Sequence, residues 1–214
     1  MLDMSDSSKD ILRFDNLIEG TFIERPNRFL VIADVKGEII ETHLKDPGRL
    51  VDLMISGARL LFIHVEGNTK RRTQFDVIAV MAHDGAWILV NSGYHNKMAQ
   101  YVVERGLIPE LIGYEVVHKE YTYGSSRIDF LLEKDGKQML LEVKGSTFIL
   151  EGISYFPDAP TKRGVREIQA YRDIDPVFAN RLKDAHDAGV VLCAAVFGLR
   201  DGCVSYLREI PVRV

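Results

Sequence analysis

Apolar and polar residues alternate along much of the chain between residues 17 and 90, which is typical of β-strands with one buried face. Lys36-Gly37 and Asp84-Gly85 lie between such segments and are typical of hairpin turns. Residues 47–54 interrupt the alternation and are predicted to form a short helix. The predicted strands are 17–24, 29–35, 39–43, 58–65, 75–82 and 86–90. Strands, a short helix and further strands together predict a small β-barrel.

The pattern changes after residue 90. Residues 95–105 carry apolar side chains at helical spacing and end at Gly106, which predicts a helix with a glycine cap. Further strands are predicted at 114–123, 126–134, 137–144, 190–197 and 203–207. A hairpin turn is predicted at Glu151-Gly152, and its strands are expected to extend the sheet formed by 114–144. A helix is predicted at 176–188. We therefore predict a barrel domain over 1–88, with a disordered tail over 1–12, and a second domain over 89–214.

One predicted hairpin brings charged residues together. Asp135-Gly136 is typical of a two-residue turn, and that turn pairs Lys134 with Lys137. In this register Asp129 lies opposite Glu142, with Lys144 two residues further along the same face.

Two opposed carboxylates repel each other, and partial burial would increase the cost. A divalent cation bound by hard oxygen ligands would relieve the repulsion, so Asp129 and Glu142 are candidate ligands for a divalent metal ion. Lys144 could then orient the attacking water or stabilise charge on a phosphate. Alternatively, Arg127 and Lys144 neutralise both acids in an ordinary solvated salt-bridge surface.

A third acid could complete such a metal site. Glu110 is the candidate by its position before the first core strand, with Glu104 on the preceding helix as a rival. The alternative for Glu110 is a solvated carboxylate in a turn.

Composition narrows the class of protein. The 214 residues carry a formal net charge of −4, which argues against a dedicated, strongly basic nucleic-acid binder but permits local basic patches. No apolar run is long enough to span a bilayer, so no membrane partner is expected. The two cysteines do not indicate a disulfide framework, and the polar, acidic start is unlike a secretory signal. We expect a cytoplasmic protein.

Several cations are candidates for phosphate contacts. A predicted barrel loop carries three consecutive cations, Lys70, Arg71 and Arg72. Arg49 follows a glycine at the predicted short helix, and Arg127 lies in the hairpin. Lys162 and Arg163 lie in a turn that leads to a basic helix start. The alternative for each is a solvated or salt-bridged side chain. Phe29, Phe62 and Phe75 could stack on bases, but their strand spacing predicts core positions.

Five segments in order resemble the sugar fermentation stimulation protein A family: HLKDPGRL at 43–50, GLIPEL at 106–111, GSSRIDF at 124–130, EVK at 142–144 and FPDAPTKRG at 156–164. The hairpin with Asp129, Glu142 and Lys144 also resembles the core of PD-(D/E)xK nucleases. The resemblance implies an α+β chain with an N-terminal OB-like barrel and a restriction-endonuclease-like α/β domain with a mixed sheet.

The same resemblance implies two functions. One is a DNA-binding protein with a Mg²⁺- or Mn²⁺-dependent nuclease-like site, for which cleavage of both strands would suggest a homodimer. The other is a non-catalytic, DNA-binding regulator of sugar metabolism genes. An oligosaccharide-binding barrel is a third possibility.

The chain departs from the family pattern after Ile168. A helix–strand unit expected before the segment 173–178 is absent. Either the protein is internally shortened, or a further segment separates the two stretches in the full-length chain. We expect the second, because loss of a central strand should expose apolar sheet surface.

Overall fold

The computed structural model describes residues 10–46, 48–65, 71–150, 153–155 and 183–212. The first seven strands are β1 (Asp10–Arg13), β2 (Ile18–Asn27), β3 (Leu30–Val35), β4 (Glu38–His43), β5 (Arg59–His64), β6 (Phe75–Met81) and β7 (Trp87–Leu89). They are followed by α1 (His95–Arg105), β8 (Glu115–Tyr123), β9 (Ser126–Lys134), β10 (Lys137–Leu141), β11 (Phe148–Leu150), β12 (Ile153–Tyr155), β13 (Ala194–Arg200) and β14 (Cys203–Ile210).

Five strands close into the predicted barrel. They pair in the order β6-β4-β3-β2-β5, and β5 pairs back onto β6. Only the β4–β6 pair among them is parallel. Apolar side chains fill the interior, among them Val31, Leu44, Leu60, Phe62, Val77 and Val80. This is an N-terminal OB domain, as predicted.

Gly20 allows two barrel strands to approach each other closely. A Cβ atom at this position would lie 2.5 Å from the carbonyl oxygen of Asp34 and 3.0 Å from the ring of Phe62. Because the nearest atom belongs to the backbone, a side chain could be accommodated only by moving a strand.

The predicted short helix at 47–54 is wrong for the part of it that the structure describes. Residues 48–54 form turns, in which the carbonyl of Leu50 accepts hydrogen bonds from the amides of Leu53 (3.1 Å) and Met54 (2.8 Å). Leu50 has a φ of 51°, which a right-handed helix does not allow. Both Leu50 and Met54 are buried in the barrel core, so tertiary packing overrides the local helical pattern.

The barrel sheet continues into the second domain, which is a mostly-sheet α/β domain. β7 pairs with β6 on one side and with β13 on the other, and the order then runs through β14 to β1. A separate antiparallel sheet has the order β10-β9-β8. The strands described in this domain all pair antiparallel, and residues 156–182 lie outside the described residues.

Helix α1 joins the two hydrophobic clusters of this domain. Met98 packs into a cluster between the barrel and the β1-β14-β13 strands, whereas Val102 and Val103 pack against Phe130 and Leu132 of β9. The helix has the predicted bounds and ends at Gly106 in a left-handed conformation. No helix within the described ranges is long and apolar enough to cross a membrane.

Other predictions for this domain need correction. Residues 10–12 were expected in a disordered tail but belong to β1, which pairs with β14; residues 1–9 lie outside the described residues. β11 and β12 pair with each other and do not extend the sheet of the hairpin. The strand predicted at 190–197 begins at Ala194. In the helix predicted at 176–188, residues 183–187 are helical, and 176–182 lie outside the described residues. The predicted departure after Ile168 also lies outside the described residues.

Candidate functional site

The hairpin of β9 and β10 has the predicted register. Asp135 and Gly136 both have positive φ, 49° and 75°, as a type I′ turn requires. The first pair beyond the turn is Lys134 with Lys137, and the last pair is Phe130 with Leu141. Asp129 is the next residue of β9 beyond that last pair, and Glu142 directly follows the end of β10, so the strand predicted to reach residue 144 ends at Leu141.

Both carboxylate oxygens of Asp129 accept hydrogen bonds. Oδ1 accepts from Nδ2 of Asn96 at 2.8 Å, and Oδ2 accepts from the backbone amide of Val143 at 2.8 Å. One donor therefore comes from the first turn of α1 and the other from Val143, which lies between Glu142 and Lys144 after the end of β10. This fixes the orientation of the Asp129 carboxylate relative to both elements.

Glu142 and Lys144 pair with each other. Nζ of Lys144 donates to Oε1 of Glu142, and both side chains are about half exposed. Arg127 pairs instead with Glu120, at 2.7 Å, so it does not neutralise Asp129 as the alternative interpretation expected. Of the two cations expected to neutralise the acids, Lys144 therefore pairs with one of them, Glu142, and Arg127 pairs with Glu120.

Two residues of this site were missed in the sequence. Glu120 lies across from Asp129 in β8, between the paired positions Lys119 and Tyr121, and has a φ of 53°. Asn96 Nδ2 donates to Glu120 Oε1 at 3.4 Å as well as to Asp129. No local pattern could have singled out Asn96, because its role depends on where α1 packs against β9.

Gly145 allows the start of α1 to lie close to the end of the hairpin. A Cβ atom there would come within 2.2 Å of the His95 ring. The absence of a side chain directly after Lys144 therefore permits His95, and with it Asn96, to approach the acidic positions.

Glu110 is the predicted third ligand. It belongs to a 3-10 turn, Pro109–Leu111, and lines a cavity of about 350 Å³ with His186 and Val190. Burial, with the nearby charge of Glu110, raises the pKa of the Cys193 thiol, which places Glu110 on the β13 side of the domain. The described contacts do not bring Glu110 to Asp129. The rival Glu104 accepts a hydrogen bond from Gln100 on its own helix.

A metal ion here would depend on few protein ligands. Within the described part of the chain, no group of three or more His, Cys, Asp or Glu side chains could hold one. Asp129 and Glu142 do supply hard oxygen donors at the end of one hairpin, and Mg²⁺ commonly takes only one or two carboxylates, with water and substrate phosphate completing its shell. The donors present therefore fit Mg²⁺ better than an ion that demands a full protein cage.

The barrel carries a second candidate surface, a groove of about 500 Å³. Its lining residues are Asn27, Phe29, Leu30, His43, Lys45, Arg71, Arg72 and Thr73. Two of the predicted phosphate-binding residues, Arg71 and Arg72, thus lie together. Lys70, Lys162 and Arg163 lie outside the described residues. Arg49 lies in the turn after β4, where its carbonyl accepts a hydrogen bond from Arg25 at 2.7 Å, and it does not line this groove.

Two acidic residues form ion pairs with the cations of the groove. Asp76, only 4% exposed, binds Lys45 at 2.9 Å and also Arg71. Burial by itself would raise the pKa of Asp76, but hydrogen bonds from Arg71 and Lys45 and the charges of both outweigh it and lower the pKa. Arg72 makes a bidentate pair with Glu41, with both contacts at 2.8 Å.

The aromatic predictions for the barrel are partly wrong. Phe62 is fully buried, as its strand spacing predicts, but Phe29 is 52% exposed and lines the groove. Phe29 precedes β3 in a tight turn, where strand alternation no longer determines which side chain faces the core.

Comparison with known proteins places both domains. Residues 23–90 match the model of the sugar fermentation stimulation protein N-terminal OB domain, and residues 93–172 match that of the sugar fermentation stimulation protein RE domain. The second match includes Asp129, Glu142 and Lys144. In fold, the chain is similar to a solved structure of Pyrococcus furiosus SfsA in complex with Ca²⁺, with a TM-score of 0.83 and 24% identity over 96% of this chain and 99% of that one.

Relatives cover most of the chain. The sugar fermentation stimulation protein homolog of Methanothermobacter thermautotrophicus is 38% identical over 82% of this chain and 84% of its own length. That of Methanococcoides burtonii is 37% identical over 91% of this chain and 92% of its own length. The second alignment spans 228 positions, more than the 214 residues here, so that relative carries residues without a counterpart in this chain. Whether they fall after Ile168 stays a prediction. The chain belongs to the sugar fermentation stimulation protein family.

Proposed function

We propose that this protein binds DNA and hydrolyses phosphodiester bonds with Mg²⁺ or Mn²⁺ in a PD-(D/E)xK-type site made of Asp129, Glu142 and Lys144. One observation carries the proposal. The Asp129 carboxylate is held by donors from α1 and from Val143, the residue between Glu142 and Lys144, so two acids and a lysine lie at one end of the hairpin.

The ligand set supports a divalent ion. Asp129, Glu142 and the backbone carbonyl of Val143 would hold it, and when bound it would supply Lewis-acid activation of water and of the scissile phosphate. The Pyrococcus furiosus relative was solved in complex with Ca²⁺, an ion that also selects oxygen ligands. Lys144, released from Glu142, would orient the attacking water and stabilise negative charge on the phosphate.

Cations around both domains support a DNA partner. Arg127, Lys162 and Arg163, and Arg49 with 70–72, would contact phosphates. Glu110 remains a less favoured third ligand, since it lines a different cavity. Cleavage of both strands of a duplex would require two such sites, as in a homodimer, and we propose that the protein acts in the cytoplasm.

A Mn²⁺ titration that follows plasmid integrity tests the proposal. Asp129→Ala and Lys144→Ala should each lower metal-dependent cleavage by about 100-fold or more, because each removes a group that acts on the reacting atoms. Asp15→Ala removes an exposed carboxylate shortly after the end of β1 and serves as the matched control. Cleavage that persists in both site variants would falsify the assignment of the active site.

The second candidate function is a DNA-binding regulator without turnover. It is favoured by the Lys144–Glu142 pair and by the two hydrogen bonds already made by Asp129, which leave the acids compensated within the protein. Calorimetry with Mg²⁺ beside a nicking assay separates the two functions. Metal affinity without nicking of any DNA substrate would support the regulator.

A further inference from the structure

We infer that the barrel groove binds single-stranded nucleic acid, with an unpaired base stacked on Phe29 and phosphates on Lys45 and Arg71. The inference rests on the proposed binding of nucleic acid and specifies which form of it the barrel holds. It does not depend on the hairpin site.

Phe29 is exposed yet held by a rigid backbone. Its amide and that of Leu30 donate to Oδ1 of Asn27, at 2.9 and 3.0 Å, and its carbonyl accepts from the amide of Leu44 at 2.9 Å. The ring lies beside that of His43, with 6.1 Å between centroids and 27° between planes. A base that stacks on this ring would not have to order the turn that presents it.

The cations beside Phe29 are also fixed in advance. Asp76 is a single buried carboxylate that binds both Lys45 and Arg71, so this cluster keeps one positive charge in excess. The Lys45 side chain remains 46% exposed. A phosphate could therefore contact Lys45 and Arg71 without first separating them from the buried acid.

The groove has the location that OB-folds use for oligonucleotides. Asn27 ends the first barrel strand and Phe29 lies in the turn that follows it. Leu30 and His43 belong to the second and third strands, and 71–73 to the connection between the fourth and fifth. The face of the second and third strands, with those two loops, is the usual binding surface of this fold.

The combination of ring and charge favours an unpaired strand. In a duplex the base faces are covered by their neighbours, and phosphate contacts alone would suffice for binding. A half-exposed aromatic ring next to a cation pair instead suits a strand whose bases can stack on the protein. A neutral oligosaccharide could also stack on the ring but would leave the excess charge unused.

Fluorescence anisotropy with EDTA present tests the inference, because binding is then measured without metal-dependent cleavage. The probes are labelled oligo(dT), oligo(U) and a blunt duplex of the same length. We expect tighter binding to a single strand than to duplex, and a loss of about 5- to 150-fold on a single strand in Phe29→Ala. Phe29→Trp should restore it. Tyr123→Ala removes an exposed ring of the second domain and should have no effect.

A salt series provides an independent measurement of the charge contribution. Arg71→Gln should reduce the slope of log affinity against log salt by about 0.7 for a single strand, whereas Phe29→Ala should leave the slope unchanged. The inference is overturned if Phe29→Ala binds oligo(dT) and oligo(U) like the unmodified protein, or if duplex binds at least as tightly. Those results would not contradict the proposed hairpin site. If the unmodified protein bound none of the three probes, the proposed function would be contradicted as well.

Discussion

The barrel groove and the hairpin site differ in what holds their charged groups. In the groove, a buried carboxylate of β6, Asp76, binds two cations that line the groove. At the hairpin, Glu142 and Lys144 are half exposed and pair with each other, and two hydrogen bonds hold Asp129. The groove is therefore preorganised by the fold, whereas the hairpin site can rearrange when a charged ligand arrives.

Replacing one glycine of the barrel and one beside the hairpin should show this difference in the free energy of unfolding. We expect Gly20→Ala to lower the free energy of unfolding by about 3 kcal/mol, since the new Cβ would meet the backbone of Asp34. Gly145→Ala should cost about 1 kcal/mol, because it meets the His95 side chain, which can rotate. Urea unfolding of both variants measures the contrast, and equal losses would contradict it.

Asn96 tests how far the hairpin site depends on α1. Asn96→Ala removes the donor to Asp129 Oδ1 and should lower Mn²⁺-dependent cleavage by about 10-fold, while binding of a single strand to the groove stays unchanged. Gln100→Ala, on the same helix, is the control. If cleavage falls equally in both variants, the helix as a whole rather than Asn96 is responsible.

Asp76 tests the electrostatics of the groove through pH. Its pKa is lower in the folded protein than its ordinary value of 3.8, so the stability it adds is complete above that value and is lost as pH falls through the folded pKa. Asp76→Asn should cost about 1–3 kcal/mol near pH 7. The difference from the unmodified protein should shrink below about pH 4. Urea unfolding at pH 7, 5 and 3 measures it; a difference that grows in acid would contradict the sign.

The smallest effect is expected at Arg127. Its pair with Glu120 is exposed on both sides, so Arg127→Ala should change the free energy of unfolding by less than about 1 kcal/mol. Urea unfolding checks this, with Arg72→Ala in the barrel as the matched exposed pair. A loss as large as that of Asp76→Asn would show that the hairpin charges are structural after all.

Much of the architecture was predictable from local pattern. The barrel strands, the helix α1 and the hairpin register follow from alternation, helical spacing and a turn dipeptide, each encoded within about a dozen neighbouring residues. The errors arose where distant contacts override local preference. Leu50 is buried in the barrel core, and the residues around it do not form the predicted helix. Residues 10–12 pair with β14, which lies near the other end of the sequence.

By itself, the sequence determined that Asp129, Glu142 and Lys144 share one hairpin end, because a two-residue turn and a period of two leave no other register. Only the tertiary structure decided that Asn96 donates to both Asp129 and Glu120, and that Asp76 joins Lys45 to Arg71. The physical reason is that hydrogen bonds and ion pairs between separate elements form only after apolar packing has brought those elements together.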